Sequence, residues 1–290
     1  MKRVCLTLLG FLAASSVYAG DAAAKQSIAY VQKLQTDGGG FMPQAAGMPT
    51  LRGTSAAVRA LHYLGGDIKD RDACIKFVAS CYDAESGGFS DVPKGKPGVF
   101  ETAVGLMAVA ELKMPVEKYA GGASKYLAEN AKTFEEIRIA AAGFESIKKK
   151  SPKEDAWFGA VVQMQNKDAT FGKGAGQARE TAGAVVTIMR FGSKPPLPNV
   201  FIKVLKAGQR QNGGWGKADD EIASDLETTY RVMRCFVMLK ARPDNVEGVR
   251  SFVAKCRNAD GGYGVAPGQP SSVGGAYFAS IITHWLKENP

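Results

Sequence analysis

The sequence predicts an all-α fold, an (α/α)6 toroid of six helix-pair repeats, and three observations predict it. First, five polar turns close on small residues and one aromatic ring: Gly39-Gly40-Phe41, Gly87-Gly88-Phe89, Ala169-Thr170-Phe171, Gly213-Gly214-Trp215 and Gly261-Gly262-Tyr263. Second, the rings stand 48, 82, 44 and 48 residues apart. A unit of about 45 residues fits these intervals, with one degenerate copy inside the longest. Third, each unit pairs an amphipathic helix before its turn with a small-residue, apolar helix after it. That is the pattern of outer helices with a wet face around inner helices buried on all sides. Closing six such pairs into a ring is the economical arrangement; an open solenoid is the alternative.

Taken in chain order, the first segment is a leader. Lys2-Arg3, the apolar run Val4 to Ala14 and the small-residue site Val17-Tyr18-Ala19 read as a secretory signal over residues 1–19, cleaved after Ala19. The expectation is therefore a secreted or periplasmic protein whose residues 20–290 form a single domain. No other stretch offers the ~18 to 20 uninterrupted apolar residues of a membrane-spanning helix. The six repeats fall near 26–66, 70–113, 116–148, 153–192, 198–241 and 245–288.

In the five outer helices that precede a ring turn an apolar pair is followed by a polar residue: Tyr30-Val31 then Gln35, Phe77-Val78 then Tyr82, Ala160-Val161 then Gln165, Val204-Leu205 then Gln209, Phe252-Val253 then Arg257. The polar residue is placed to bond freed carbonyls or the next turn. The glycines after it permit a left-handed C-cap. Thr54, Thr102, Thr228 and Ala276 each fall 13 residues past their ring and Thr181 falls 10 past Phe171, so the inner helices keep register through variable loops. The third unit, with Lys125-Tyr126-Leu127 in one helix and Glu136 to Ala142 in the next, has lost the ring turn. Pro195-Pro196-Leu197-Pro198 is a stiff connector between units four and five.

Composition narrows the function. The formal charge is +9 and falls to +7 without Lys2 and Arg3. The cations are scattered, apart from Lys148-Lys149-Lys150, with no basic stripe carrying interleaved aromatics, which argues against nucleic acid as a partner. Of the cysteines beyond the leader, Cys74 and Cys81 would lie ~10 Å apart on one helix, past the ~7 Å limit for a disulfide. Cys235 and Cys256 lie on successive helices, where they are either buried thiols or a pair formed in an oxidising compartment.

The run Val204 to Trp215, with Gln209-Arg210-Gln211-Asn212-Gly213-Gly214-Trp215, resembles the Gln/Trp repeat of squalene and terpene cyclases. Gln35-Thr36-Asp37-Gly38-Gly39-Gly40-Phe41 resembles the repeat of protein prenyltransferase β-subunits, including type II geranylgeranyl transferase. The resemblance spans the mature chain and implies a barrel whose apolar funnel holds an isoprenoid or other hydrophobic ligand, with a partner protein as a further implication. It also implies a catalytic zinc held by an Asp and a Cys at the start of the fifth inner helix and a His at the start of the sixth. The positions that match are Glu227 or Asp225 for the Asp, Thr229 for the Cys and Gly275 for the His. Two of the three ligands are replaced, so no metal ligand and no cofactor is assigned; His62 and His284 stand elsewhere. The cations that would hold a diphosphate are poorly matched, since Lys217 is followed by Asp219-Asp220-Glu221. The Asp-x-Asp-Asp acid of the cyclases and the thioester sequence of complement-like toroids are absent.

Two residue sets remain. Glu101, Glu136, Glu180 and Glu227 recur at inner helix starts and would ring one mouth. They serve the helix dipole, or they form a carboxylate cluster that binds a cation or a basic group or acts as an acid and base pair with at least one raised pKa; no catalytic residue is assigned, and Glu101, Glu180, Asp225 and Glu227 are the candidates. Arg59, Tyr230, Arg231, Tyr277 and Phe278, with His62, Tyr63 and Arg234 nearby, are core packing or the lining of a ligand-binding funnel. The turn residues Asp37, Asp168 and Asp260 are read as turn bonds. The functional expectation is an extracytoplasmic toroid that binds an isoprenoid-like or hydrophobic ligand. A polysaccharide-active barrel enzyme using mouth carboxylates and a non-catalytic interaction scaffold are the alternatives.

Overall fold

A computed structural model describes residues 22–217 and 223–288. The expected leader and the run Asp219-Asp220-Glu221 lie outside the described residues. Among the described residues twelve α-helices follow one another as six outer–inner pairs. The outer members are α1 (residues 22–33), α3 (Arg71–Ser80), α5 (Glu117–Asn130), α7 (Glu154–Val162), α9 (Pro198–Ala207) and α11 (Val246–Lys255). The inner members are α2 (Leu51–Leu64), α4 (Val99–Glu111), α6 (Phe134–Ser146), α8 (Gln177–Arg190), α10 (Leu226–Met238) and α12 (Val273–Glu288). Each inner helix packs on the inner helices before and after it, and α12 packs on α2, so the ring is closed and the open solenoid is set aside. No helix among the described residues is long and apolar enough to cross a membrane.

Local chemistry sets the helix starts. Thr50, Asp70, Asp225 and Asn245 accept bonds from the amides three residues on, and Thr133 and Glu136 form a capping box. Pro198, which has no amide hydrogen to leave unpaired, opens α9.

The aromatic turns fasten one pair to the next. Phe41, Phe89, Phe171 and Trp215 are buried, and the backbone around each ring residue is bridged to the flanking chain. A threonine hydroxyl from the following inner helix accepts the ring residue's amide: Thr54 for Phe41 at 2.9 Å, Thr102 for Phe89 at 2.9 Å and Thr181 for Phe171 at 3.2 Å. In the fifth unit this is Thr229, at 3.1 Å from the Trp215 nitrogen, and not Thr228. Thr228 instead donates to the cap Asp225, because the loop before α10 is one residue longer in its register. Gln35 and Gln209 each bond their own turn carbonyl and also the backbone carbonyl and amide of the next helix's cap residue, Asp70 and Asn245. Across the seam Arg257 donates to the Gln26 side-chain oxygen and the Gly261 carbonyl accepts from the Ser27 hydroxyl of α1, which closes the ring.

Two expectations are corrected. The left-handed glycines are not helix C-caps of the outer helices, which end on right-handed residues such as Cys81 and Gly208; they lie in the turns, where Gly213 has φ of 91°. A Cβ on Gly213 would overlap the backbone of Gly248 at the start of α11, so this is where neighbouring units approach closest. The inner helices are also not apolar all round: α6, α8 and α10 turn charged side chains toward the centre. Cys74, Cys81, Cys235 and Cys256 are all buried and unpaired, so the Cys235–Cys256 bridge does not form. Burial pushes the thiols of Cys74, Cys81 and Cys256 up to about 12 and makes them unreactive.

Candidate functional site

The six inner helices enclose a lumen of about 850 Å³. Its two sides differ in degree. From α2, α4 and α12 come Ala56, Val104, Met107, Tyr277 and Phe278, with the charged Arg52, Arg59 and Glu111 among them; from α6, α8 and α10 come Arg138, Glu145, Arg190, Glu227, Arg231 and Arg234, with Ile139 and Val186 between them. Arg59, Tyr230, Arg231, Tyr277 and Phe278, the expected ligand-binding set, all line this space. Tyr230 and Tyr277 approach through their hydroxyls at 3.4 Å, and Tyr230 stacks on Trp285 with ring centres 5.6 Å apart. Arg59 lies 4.1 Å from the centre of the Tyr277 ring.

The charges are paired in two groups. Near the inner helix starts, Arg231 bonds Glu135 at 2.9 Å and Glu227 at 2.8 Å, Arg138 bonds Glu135 at 3.0 Å, and Lys217 bonds Glu227 at 2.8 Å. Burial would raise the Glu135 carboxyl, but the hydrogen bond from Arg231 and the charges of Arg138 and Arg231 hold it at about 2. Glu227 is likewise held below its ordinary value: Lys217, Arg231 and Arg179 outweigh its desolvation. Toward the inner helix ends, one oxygen of Glu145 bonds Arg190 at 2.9 Å and Arg234 at 2.8 Å. Its carboxyl too is lowered, because the two arginines overcome the effect of burial.

The structure brings only part of the expected carboxylate ring together. Glu227 lines the lumen. Glu101 pairs with Arg52 at 3.4 Å, Glu180 pairs with Arg179 at 2.7 Å, and Asp225 caps α10. Glu136 bonds the Lys132 and Thr133 amides as part of its capping box and leaves the ring to its neighbour Glu135. An acid and base pair needs a carboxyl raised toward neutrality, and Glu135, Glu145 and Glu227 are all shifted down.

Sequence reasoning missed Glu135, Arg138, Glu145 and Arg190. The signal was present in the capping box: once Thr133-x-x-Glu136 is recognised, helical spacing puts residues 135, 138, 142 and 145 on one face.

The family model for the prenyltransferase alpha-alpha toroid domain matches residues 4–72, 66–140 and 138–288. The chain belongs to this family. Among solved structures, a protein geranylgeranyltransferase-I from Candida albicans complexed with GGPP is similar at 12% identity over 80% of this chain and 83% of that one, with a TM-score of 0.63. A type II terpene cyclase from Scytonema, in complex with its substrate geranylgeranyl dihydroxybenzoate, is similar at 11% identity over 94% and 99%, also with a TM-score of 0.63. The same cyclase without ligand aligns at 10% identity, 93% and 98% coverage and a TM-score of 0.63. No curated protein sequence matches the chain.

Within this toroid family the zinc positions can be tested on the donors present. Thr229, at the cysteine position, is buried and holds the Trp215 amide. Gly275, at the histidine position, faces the Tyr263 carbonyl, and a Cβ there would overlap it. Glu227 is committed to Arg231 and Lys217, and Asp225 to the α10 cap. These residues do not fit a zinc ion, which asks for about four Cys, His or carboxylate donors. Among the described residues no three His, Cys, Asp or Glu side chains are grouped to hold a metal.

Proposed function

We propose that the chain is an extracytoplasmic, zinc-independent binding protein of the toroid family whose lumen takes an isoprenoid-like or other hydrophobic ligand. The lumen carries the reading: about 850 Å³ of space with one apolar and aromatic wall, within the ~300 to 1,000 Å³ of small-molecule sites. Val104, Met107, Tyr277 and Phe278 would take the hydrophobic chain, whose burial contributes about 25 cal/mol per Å² of apolar surface. The geranylgeranyl compounds bound by the Candida and Scytonema proteins support this class of ligand. The Lys2-Arg3 leader supports the location.

Glu145 and Glu227 in the lumen, and Glu135 beside them, are lowered and ion-paired, so these three lack the proton that alkene activation or glycosidic cleavage would need. This favours binding over a polysaccharide-active or cyclase reaction. Native mass spectrometry of the mature chain mixed with geranylgeraniol checks the reading. One retained ligand per chain is expected, with far less than stoichiometric zinc by elemental analysis. A chain that stays empty at saturating ligand would overturn the ligand reading, and one tightly held zinc per chain would overturn the donor argument.

A further inference from the structure

Three guanidinium groups enter the lumen from the C-terminal halves of three inner helices: Arg59 on α2, Arg190 on α8 and Arg234 on α10. They stand apart from the Glu135, Arg231 and Glu227 group at the helix starts. Glu145 answers two of them through a single oxygen. Arg59 has no acidic partner among the described residues; its Nε bonds the Ser55 carbonyl at 3.0 Å and its Nη1 bonds the Tyr277 hydroxyl at 3.0 Å. The Nε of Arg234 is buried with no hydrogen-bond partner among the described residues. Glu111, the other carboxylate lining this part of the lumen, bonds His62 at 2.9 Å. Cations therefore outnumber the carboxylates that neutralise them, beside an apolar wall. Such an excess is costly to keep unless a counter-anion completes it.

The geometry points to an oxyanion site at Arg59, Arg190 and Arg234, where guanidinium N–H groups hold the carboxylate or phosphate head of an amphiphile whose chain lies against Val104, Met107 and Phe278. This rests on the reading of the lumen as a hydrophobic ligand chamber and reverses the polarity of a purely apolar funnel. Guanidinium forks match the planar pairs of oxygens on these heads, and charge-assisted bonds of this kind are roughly twice as strong as neutral ones. The Tyr230 phenol reports the same field. Burial alone would raise it, but the charges of Arg234, Arg190 and Arg59 outweigh that and pull it below its ordinary value.

Calorimetric titration of the mature chain with geranylgeraniol, geranylgeranoic acid, geranylgeranyl monophosphate and inorganic phosphate tests the site. At least one anionic amphiphile is expected to bind about tenfold or more tighter than the alcohol, and which one wins identifies the head. Arg59→Gln should weaken that anion about tenfold more than it weakens the alcohol. Glu145→Gln removes the resident counter-charge and should tighten the anion.

The site is overturned if the alcohol and both anionic amphiphiles bind alike, or if Arg59→Gln weakens all three equally; the lumen reading then stands without it. Inorganic phosphate binding as tightly as the monophosphate would also overturn it, since a free anion would then suffice. Failure of all three amphiphiles to bind would remove the lumen reading itself.

Discussion

Gly213→Ala is expected to lower the stability of the folded chain by at least about 3 kcal/mol, read as a fall in the urea midpoint. Two causes add. The residue sits at φ of 91°, where an alanine is strained, a cost of about 1 to 2 kcal/mol. Its Cβ would also overlap the Gly248 backbone, so α11 must move away from the turn that docks on it. Gly192→Ala is the control. It has φ of 74° with open space around the added atom, and only the conformational cost of about 1 to 2 kcal/mol is expected. Equal losses in the two variants would show that turn-to-helix docking is not what fixes the spacing of the repeats.

Removing the Glu135 carboxylate is expected to be the other large perturbation. Arg231 is 9% exposed at its side chain and Arg138 13%, and both bond Glu135. Leaving such cations underpaired costs about 3 kcal/mol, so Glu135→Ala should unfold at a clearly lower urea concentration than the parent. The pH dependence follows from the sign of the shift. The folded carboxyl is held at about 2 against an ordinary 4.5, so the folded chain binds the proton less readily than the unfolded one. The stabilisation is present above about 4.5 and is lost as pH falls from there toward about 2. Solvent reaches a third of the side chain, which reduces its size to about 2 kcal/mol. Urea midpoints measured from pH 6 down to pH 3 should fall in the parent more steeply than in Glu135→Ala. Parallel slopes would show that Glu135 is not held low by its arginines.

Much of the architecture is legible in the sequence because the turns are over-determined. Most combine a tight glycine, a buried ring and a threonine hydroxyl, with Ala169 replacing the glycine in one and Ala276 the threonine in another, and these recur at nearly fixed intervals. The closed ring follows from α12 packing on α2, and the residues that cross the seam, Arg257 and Gly261, belong to the last of the recurring turns.

The lumen was only half legible. Arg59, Tyr230, Arg231, Tyr277 and Phe278 are legible because three of the inner helices, α2, α10 and α12, carry aromatic and cationic residues close together. The apolar funnel was the wrong emphasis. Ion pairs such as Glu145 with Arg190 and Arg234 join α6 to α8 and α10 across 45 and 89 residues of sequence, so no local spacing marks the pairing. Glu136 stands out in the sequence and Glu135 does not for a related reason. A carboxylate at a helix start looks the same in the sequence whether it caps the helix or faces inward.

The most direct test of the lumen as a ligand chamber is an experimental structure of the mature chain with geranylgeranoic acid bound. The expected result is ligand density inside the ring, with its chain against Val104, Met107 and Phe278 and its carboxylate among Arg59, Arg190 and Arg234. Ligand seated only on the outer helices, or a lumen holding only solvent at saturating ligand, would contradict it.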